Sequence, residues 1–280
     1  MSNIDTSSEA QMYWNEEGGD KWVENIDFAE SFMTPMSDRL IERIAAKKGE
    51  KILDVGCGGG ITTLKLAALA GEGGGVLGVD VSRQIIDVAI KRAEDSTNIE
   101  FQHSDAASTE FGENKFDLIT SRFGVMFFDD PVAAFKNLHR SLKPTGRLVF
   151  LCWRTPKENP WMAEPAAATF QILPPPAEKP APTDPGPFSL GEAEHLTNVL
   201  QLAGFTNINL EPVDLSLPMS SVDTAVGFLT RLGPAADALK EASDDQRVEV
   251  IAAIRAVMEK YSSADGVLAP AATWIVSASK

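Results

Sequence analysis

The sequence predicts a doubly wound α/β fold. Its sheet is mostly parallel and seven-stranded with an antiparallel last strand, and it carries N-terminal helices and a partly helical cap. Three observations predict this. Apolar runs of strand length alternate with stretches of helical periodicity across residues 51–153. A glycine-rich turn, Gly56 to Gly60, joins the first such run to the first such helix. Carboxylates stand at or just past the ends of later runs, at Asp80 and Asp105. Strands that alternate with helices pair in parallel through right-handed crossovers. Such sheets bind ligands outside the carboxyl ends of their strands.

Residues 1–35 are polar with scattered aromatics, Tyr13, Trp14, Trp22, Phe28 and Phe32, and read as one or two short helices forming a lid. Met36, Leu40, Ile41 and Ile44 follow at helical spacing and open the α/β core, expected over 36–153. Lys51–Val55 reads as a buried strand, Ile61–Ala70 as a helix and Gly75–Asp80 as the second strand. Ser82 is an N-cap for a helix to about Glu94, with Ile85, Ile86, Ala89, Ile90 and Ala93 inward. Ile99–His103 and Phe116–Ser121 are the third and fourth strands. Asp130-Pro131 starts a helix with proline at its first position. That helix buries Phe135, Leu138 and Leu142 and stops before Lys143-Pro144. A turn at Thr145-Gly146 then leads to a fifth strand, Arg147–Trp153.

The composition then changes. Residues 154–188 hold Pro174, Pro175, Pro176, Pro180, Pro182, Pro185 and Pro187, and read as a semi-rigid, extended cap insertion rather than a core element. Residues 189–220 return to the core with a helix, about Leu190–Ala203 ending at Gly204, and a strand, Ile208–Leu217. A second, helical cap insertion is expected over 221–266. The last core strand, Thr273–Ser277 within 267–280, is expected to form an antiparallel edge with the strand before it.

Forty acidic residues against 25 basic give a net charge of −15. Nucleic-acid binding relies on Lys and Arg displacing counterions, so no nucleic-acid partner is expected. The 44% hydrophobic content is that of an ordinary globular chain. Two cysteines, Cys57 and Cys152, make no disulfide framework. Met1 to Ala10 lacks the basic and apolar regions of a leader. No apolar run approaches the roughly 20 residues that span a bilayer. A cytoplasmic location without a membrane partner is therefore expected. His103, His139 and His195 read as structural, and no His/Cys spacing suits a metal.

Residues 52–60, Ile-Leu-Asp-Val-Gly-Cys-Gly-Gly-Gly, carry the functional argument. Glycine lets the loop turn tightly and brings backbone amides to a ligand, at a helix N-terminus of partial positive charge. A nicotinamide cofactor would want Gly-x-Gly-x-x-Gly. Here the third glycine, Gly60, comes one residue early and Ile61 takes its place. Asp54, two residues before the first glycine, suits an ammonium group and offers nothing to a pyrophosphate.

This segment resembles the first motif of the class I S-adenosylmethionine-dependent methyltransferases. Four further segments are similar to that family. Val-Leu-Gly-Val-Asp80 ends strand two, Gln102-His103-Ser104-Asp105-Ala106 ends strand three, Phe116 to Phe123 spans strand four, and Leu142-Lys143-Pro144-Thr145-Gly146-Arg147-Leu148 precedes strand five. The resemblance covers roughly residues 36–153. It is greatest to the branch of ubiquinone/menaquinone-biosynthesis C-methyltransferases and their small-molecule relatives. It implies a Rossmann-like sheet, S-adenosylmethionine as cofactor, Asp80 on the ribose hydroxyls and Asp105 on the adenine amino group. Cofactor contacts are expected at Asp54, Gly56, Cys57, Gly58, Gly60, Asp80, Val81, Asp105, Ala106, Ser121 and Trp22.

No catalytic residue stands out, and a small-molecule acceptor with O, N or C as nucleophile is expected. Its pocket is expected among Arg122, Phe123, Phe127, Trp14 and Trp153. Arg122 is open to two readings, binding an acceptor carboxylate or forming a structural ion pair. Tyr13, Trp14 and Trp22 are either a lid over a sulfonium or hydrophobic anchors. Trp153, Trp161 and Phe188 suit core packing better. Two other functions stay open: a nicotinamide-dependent oxidoreductase, and an S-adenosylmethionine-binding protein without methyl transfer.

Overall fold

The computed structural model describes residues 9–176, 181–232 and 234–280. Pro180 and most of Met1–Ala10 lie outside them. Three helices open the described chain: α1 (Glu9–Asn15), α2 (Glu17–Glu24) and α3 (Ile26–Ile44). The expected boundary at residue 35 falls inside α3, which continues through Pro35. A proline there removes one helical hydrogen bond. Around it the hydroxyls of Thr34 and Ser37 donate to the carbonyls of Glu30 and Met33, one turn back. Met33, Met36, Leu40 and Ile44 form the buried stripe of α3, and this burial holds the helix on the sheet.

The alternation follows: β1 (Lys51–Val55), α4 (Ile61–Ala70), β2 (Gly75–Asp80), α5 (Arg83–Arg92), β3 (Ile99–His103), β4 (Phe116–Arg122), α6 (Pro131–Ser141) and β5 (Leu142–Trp153). Ser82 and Asp130 cap α5 and α6 through their side-chain oxygens. β5 begins five residues before its expected start. The Lys143–Gly146 segment is an irregularity in the β4–β5 pairing, between Phe116 opposite Leu142 and Leu118 opposite Arg147.

The remaining elements are α7 (Pro160–Thr169), α8 (Ala193–Leu202), β6 (Thr206–Met219), α9 (Val222–Leu229), α10 (Pro234–Lys240), α11 (Asp244–Glu259), β7 (Ser262–Ser263) and β8 (Gly266–Ser279). The sheet runs β3-β2-β1-β4-β5-β8-β6, with the two-residue β7 pairing β8. Seven strands thus form the main path and β7 is the eighth.

Two expectations are corrected. The last strand is not an edge: β8 lies between β5 and β6 and is antiparallel to both. β6 takes the edge, and its sequence suits that place. Pro212 and Pro218 have no N–H to offer an outer neighbour, and Asn209, Glu211, Asp214 and Ser216 keep it polar. Residues 154–188 are also not simply an extended connection. Within them α7 buries Trp161, Pro165 and Thr169. Asn159, wholly buried, anchors the segment by exchanging two hydrogen bonds with the backbone of Ala272 on β8. α7 packs against α10 and α11.

Candidate functional site

β1 runs out of the sheet into the glycine loop. The amides of Gly56 and Cys57 both donate to the Val79 carbonyl, at 2.8 and 3.0 Å, which ties the loop to β2. Gly56 has φ +65°, and a Cβ on it would lie 2.7 Å from the Cα of Gly124, so only glycine lets these two backbones meet. Gly124 begins a short 3₁₀ turn, Gly124–Phe127, that leaves β4. The Ser121 hydroxyl accepts its N–H at 3.1 Å and fixes the turn.

A cavity of about 350 Å³ opens at these strand ends, within the range of small-molecule sites. Asp80 stands at its centre. One Asp80 carboxylate oxygen accepts the Gly58 N–H at 2.9 Å and the other the Ser82 N–H at 3.0 Å. A carboxylate offers about four lone-pair sites, so each oxygen keeps capacity for a ligand hydroxyl. Burial pushes this carboxyl above the usual range, against the pull of those amides. At one end Asp105 caps its own loop, accepting the Ala107 N–H and the Ser108 hydroxyl. Asn137 on α6 holds that loop through the carbonyls of Ala106 and Thr109. At the other end stand Arg122, Phe123 and Met33. Trp14, Trp22 and Phe127 close over the cavity, with Trp14 edge-on to both other rings at 5.8 and 5.5 Å.

Gly56, Gly58, Asp80, Val81, Asp105, Ala106, Trp22, Trp14, Arg122, Phe123 and Phe127 line this cavity. The other five residues expected in direct contact stand behind the wall. Asp54 is 1% exposed and accepts the Thr63 hydroxyl at 2.7 Å. The Cys57 thiol faces β2, where a Cβ on Gly78 would meet it at 3.1 Å. Gly60 is the N-cap of α4, and Ser121 spends its hydroxyl on the Gly124 turn. Trp153 stacks on Phe123, with ring centroids 4.3 Å apart, and so backs the pocket without entering it. Arg122 forms no ion pair among the described residues; its one hydrogen bond goes to the Ser37 hydroxyl, at 3.0 Å. The structural ion-pair reading is therefore set aside.

Sequence reasoning missed Met33, Ile85, Ser104, Ser108, Phe128, Asp129, Ala133 and Ala134 as lining residues. The last pair sits on the first turn of α6, which the Asp130-Pro131 signal had located. Nothing in the spacing said that this turn faces the cavity.

A doubly wound sheet with one reversed strand, a glycine loop at its carboxyl end and an acid on the second strand define a nucleoside-binding α/β protein. The orphaned Oδ1 of Asp54 beneath the loop and the spare capacity of Asp80 fit a ligand with an ammonium group and a ribose. The comparisons agree. Residues 53–150 match the family described as "Methyltransferase domain". The chain is 38% identical over 113 residues to the demethylmenaquinone methyltransferase of Staphylococcus saprophyticus, covering 40% of this chain and 48% of that protein. It is 30% identical over 182 residues to that of Staphylococcus carnosus, covering 62% of this chain and 75% of that protein. Haemonchus contortus phosphoethanolamine N-methyltransferase 2, in complex with phosphomonomethylethanolamine and S-adenosylhomocysteine, shares the fold. Its TM-score is 0.63 at 17% identity, over 98% of this chain and 61% of that one. The chain spans about half the length of most of the curated relatives it matches. It belongs to the class I S-adenosylmethionine-dependent methyltransferases, in the menaquinone-like branch. No helix among the described residues is long and apolar enough to cross a membrane.

Proposed function

We propose that the protein transfers a methyl group from S-adenosylmethionine to a small-molecule acceptor. The observation that carries this reading is the Asp80 carboxylate, held by the Gly58 and Ser82 amides at the centre of the cavity. In this reading Asp80 takes the ribose hydroxyls, and Asp105, Ala106 and the first turn of α6 enclose the adenine. The glycine loop lies along the amino-acid end. Bound S-adenosylmethionine supplies a methyl group on a sulfonium, already activated for transfer. The chain's own contribution is alignment and exclusion of water, which is worth roughly 7–11 kcal/mol when the geometry is good. Trp14, Trp22 and Phe127 present aromatic faces that favour a cation and keep solvent out.

Titration calorimetry tests the cofactor. S-adenosylmethionine and S-adenosylhomocysteine are expected to bind with micromolar affinity, and Asp80→Ala to weaken both by about 100-fold, the scale of charged hydrogen bonds lost at one group. Binding of a nicotinamide dinucleotide in their place would overturn the reading.

The cavity wall holds no His, Lys, Glu, Tyr or Cys among the described residues. Of its acids, Asp80, Asp105 and Asp130 spend oxygens on backbone amides, and we assign no base role to Asp129. Without a general base the acceptor must arrive with its nucleophile already competent. The pH dependence of kcat/KM is therefore expected to follow the acceptor's own pKa, moving when the acceptor is exchanged. A profile that stays fixed across acceptors of different acidity would point to a base on the chain.

A further inference from the structure

Arg122 ends β4 on the cavity wall. A guanidinium carries five donors, and this one has a single hydrogen bond, to the neutral Ser37 hydroxyl at 3.0 Å. The two acids whose charge it feels do not bond to it. Glu30 on α3 gives both oxygens to Arg92, at 2.7 and 2.9 Å. Asp54 on β1 accepts from Thr63 and stays buried behind the wall. Burial outweighs the pull of both acids and lowers the hold of Arg122 on its proton. A cation so enclosed costs free energy unless a ligand completes its bonding.

The wall around it is otherwise apolar or aromatic: Met33, Phe123, Phe127, Trp14 and Trp22. Charges in such surroundings are weakly screened. With the cavity read as an S-adenosylmethionine site, the cofactor brings one net positive charge, on its sulfonium. An acceptor between sulfonium and guanidinium then faces two cations. An amine gains nothing from them, and it becomes a third cation as the methyl arrives. An oxyanion is drawn to both, and the planar fork of Arg122 can grip it. Transfer to an oxyanion also leaves no proton to remove, which fits a wall without a base.

We propose that Arg122 selects the acceptor, holding the anionic oxygen of a small phenolic or carboxylic acid against the methyl group and disfavouring amines. This rests on the reading of the cavity as an S-adenosylmethionine site. The electron pair of the oxyanion forms the bond to the methyl carbon. The carbon–sulfur bond breaks and its pair stays on sulfur. The two charges cancel and no proton changes hands. Oxygen, not nitrogen or carbon, is the atom methylated.

The test loads the full chain with S-adenosylhomocysteine and titrates in four probes of similar shape. They are 4-nitrophenol against 4-nitroaniline, and 4-nitrobenzoate against 4-nitrobenzamide. Calorimetry reads the affinities, and the absorption of the phenolate reads the ionisation of bound nitrophenol. At least one acid is expected to bind about tenfold or more tightly than its neutral partner, the scale of a charge-assisted bond. Which acid does so tells a phenolic from a carboxylic acceptor. If it is the phenol, its bound form is expected to ionise about one pH unit or more below the free compound. Arg122→Gln is expected to abolish the preference while S-adenosylhomocysteine affinity stays within about threefold. Arg122→Lys is expected to restore part of the preference. If Arg122→Gln fails to fold, Ser37→Ala serves, since it frees the guanidinium from its one anchor, and a several-fold smaller preference is expected. Acids that bind no better than their neutral partners, the case where no probe binds included, overturn the proposal. So does a preference that survives Arg122→Gln. A tenfold loss of S-adenosylhomocysteine affinity in that variant also overturns it and moves the guanidinium to the cofactor. If S-adenosylhomocysteine fails to bind the wild type, the cofactor reading itself falls, and that result appears before any probe is added.

Discussion

Gly56→Ala is expected to destabilise the protein by about 2–5 kcal/mol and to abolish ligand binding with it. Two costs add. A left-handed backbone at φ +65° costs a residue with a Cβ about 1–2 kcal/mol. The new methyl also overlaps the Cα of Gly124 at 2.7 Å, and overpacking against backbone costs about 1–3 kcal/mol more. Neither backbone can yield easily, because the Gly56 amide is tied to Val79 and the Gly124 amide to Ser121. Gly58→Ala is the control. It has φ +55° with nothing within 4 Å of a Cβ, so only the conformational cost of about 1–2 kcal/mol applies. Urea denaturation of both variants measures the contrast, and equal losses would contradict the close β1–β4 approach.

Asp54→Asn is expected to stabilise the ligand-free protein at neutral pH while weakening cofactor binding. Burial is the main cause that lifts the Asp54 carboxyl from 3.8 to about 6, outweighing the Thr63 hydrogen bond and the field of Arg122. The native state therefore holds this proton more tightly than the unfolded chain does. Below about pH 4 the group is neutral in both states and carries no charge penalty. As the pH rises toward and through 6 the unfolded chain ionises first, and native stability falls. Above that the loss is complete, on the order of 2–3 kcal/mol at about 1.4 kcal/mol per unit. Asparagine keeps an oxygen for Thr63 and removes the charge. The stability difference between variant and wild type should then be small at pH 4 and largest above pH 7, with cofactor affinity down about tenfold. A difference that is constant with pH, or a variant less stable at pH 7.5, would mean that Asp54 is not held as an unsatisfied acid. Strain of this kind is typical of binding sites, where a group is placed for the ligand at the expense of the fold.

Much of the core was legible because its signals are local. Strand runs, the glycine loop and the caps at Ser82 and Asp130 depend on a few neighbouring residues, and their elements came within a few residues of expectation. Legibility failed where a local signal had two tertiary outcomes. The N-terminal lid was expected to end at residue 35, yet burial of Met33, Met36 and Leu40 carries α3 through Pro35. The prolines of 154–188 read as an extended connection, yet Pro160 starts α7 and Asn159 pins that region to β8. A strand's sequence also cannot say which neighbour it will join, and so β8 enters between β5 and β6.

The site divides in the same way. The sequence by itself determined the class of chemistry: an acid before a glycine loop, an acid at the end of strand two and an acid after strand three, each brought to one edge by the parallel alternation. These are consequences of chain direction and strand ends, which periodicity encodes. Only the tertiary structure decided which of those residues lines the cavity. Asp80 and Asp105 reach the cavity, whereas Asp54, Cys57, Gly60, Ser121 and Trp153 support it from behind. It also decided that Arg122 stands with a single neutral partner. Spacing along a strand sets the face on which a side chain lies, but packing of α3 and the aromatic lid determines whether that face is sealed or left open to a ligand.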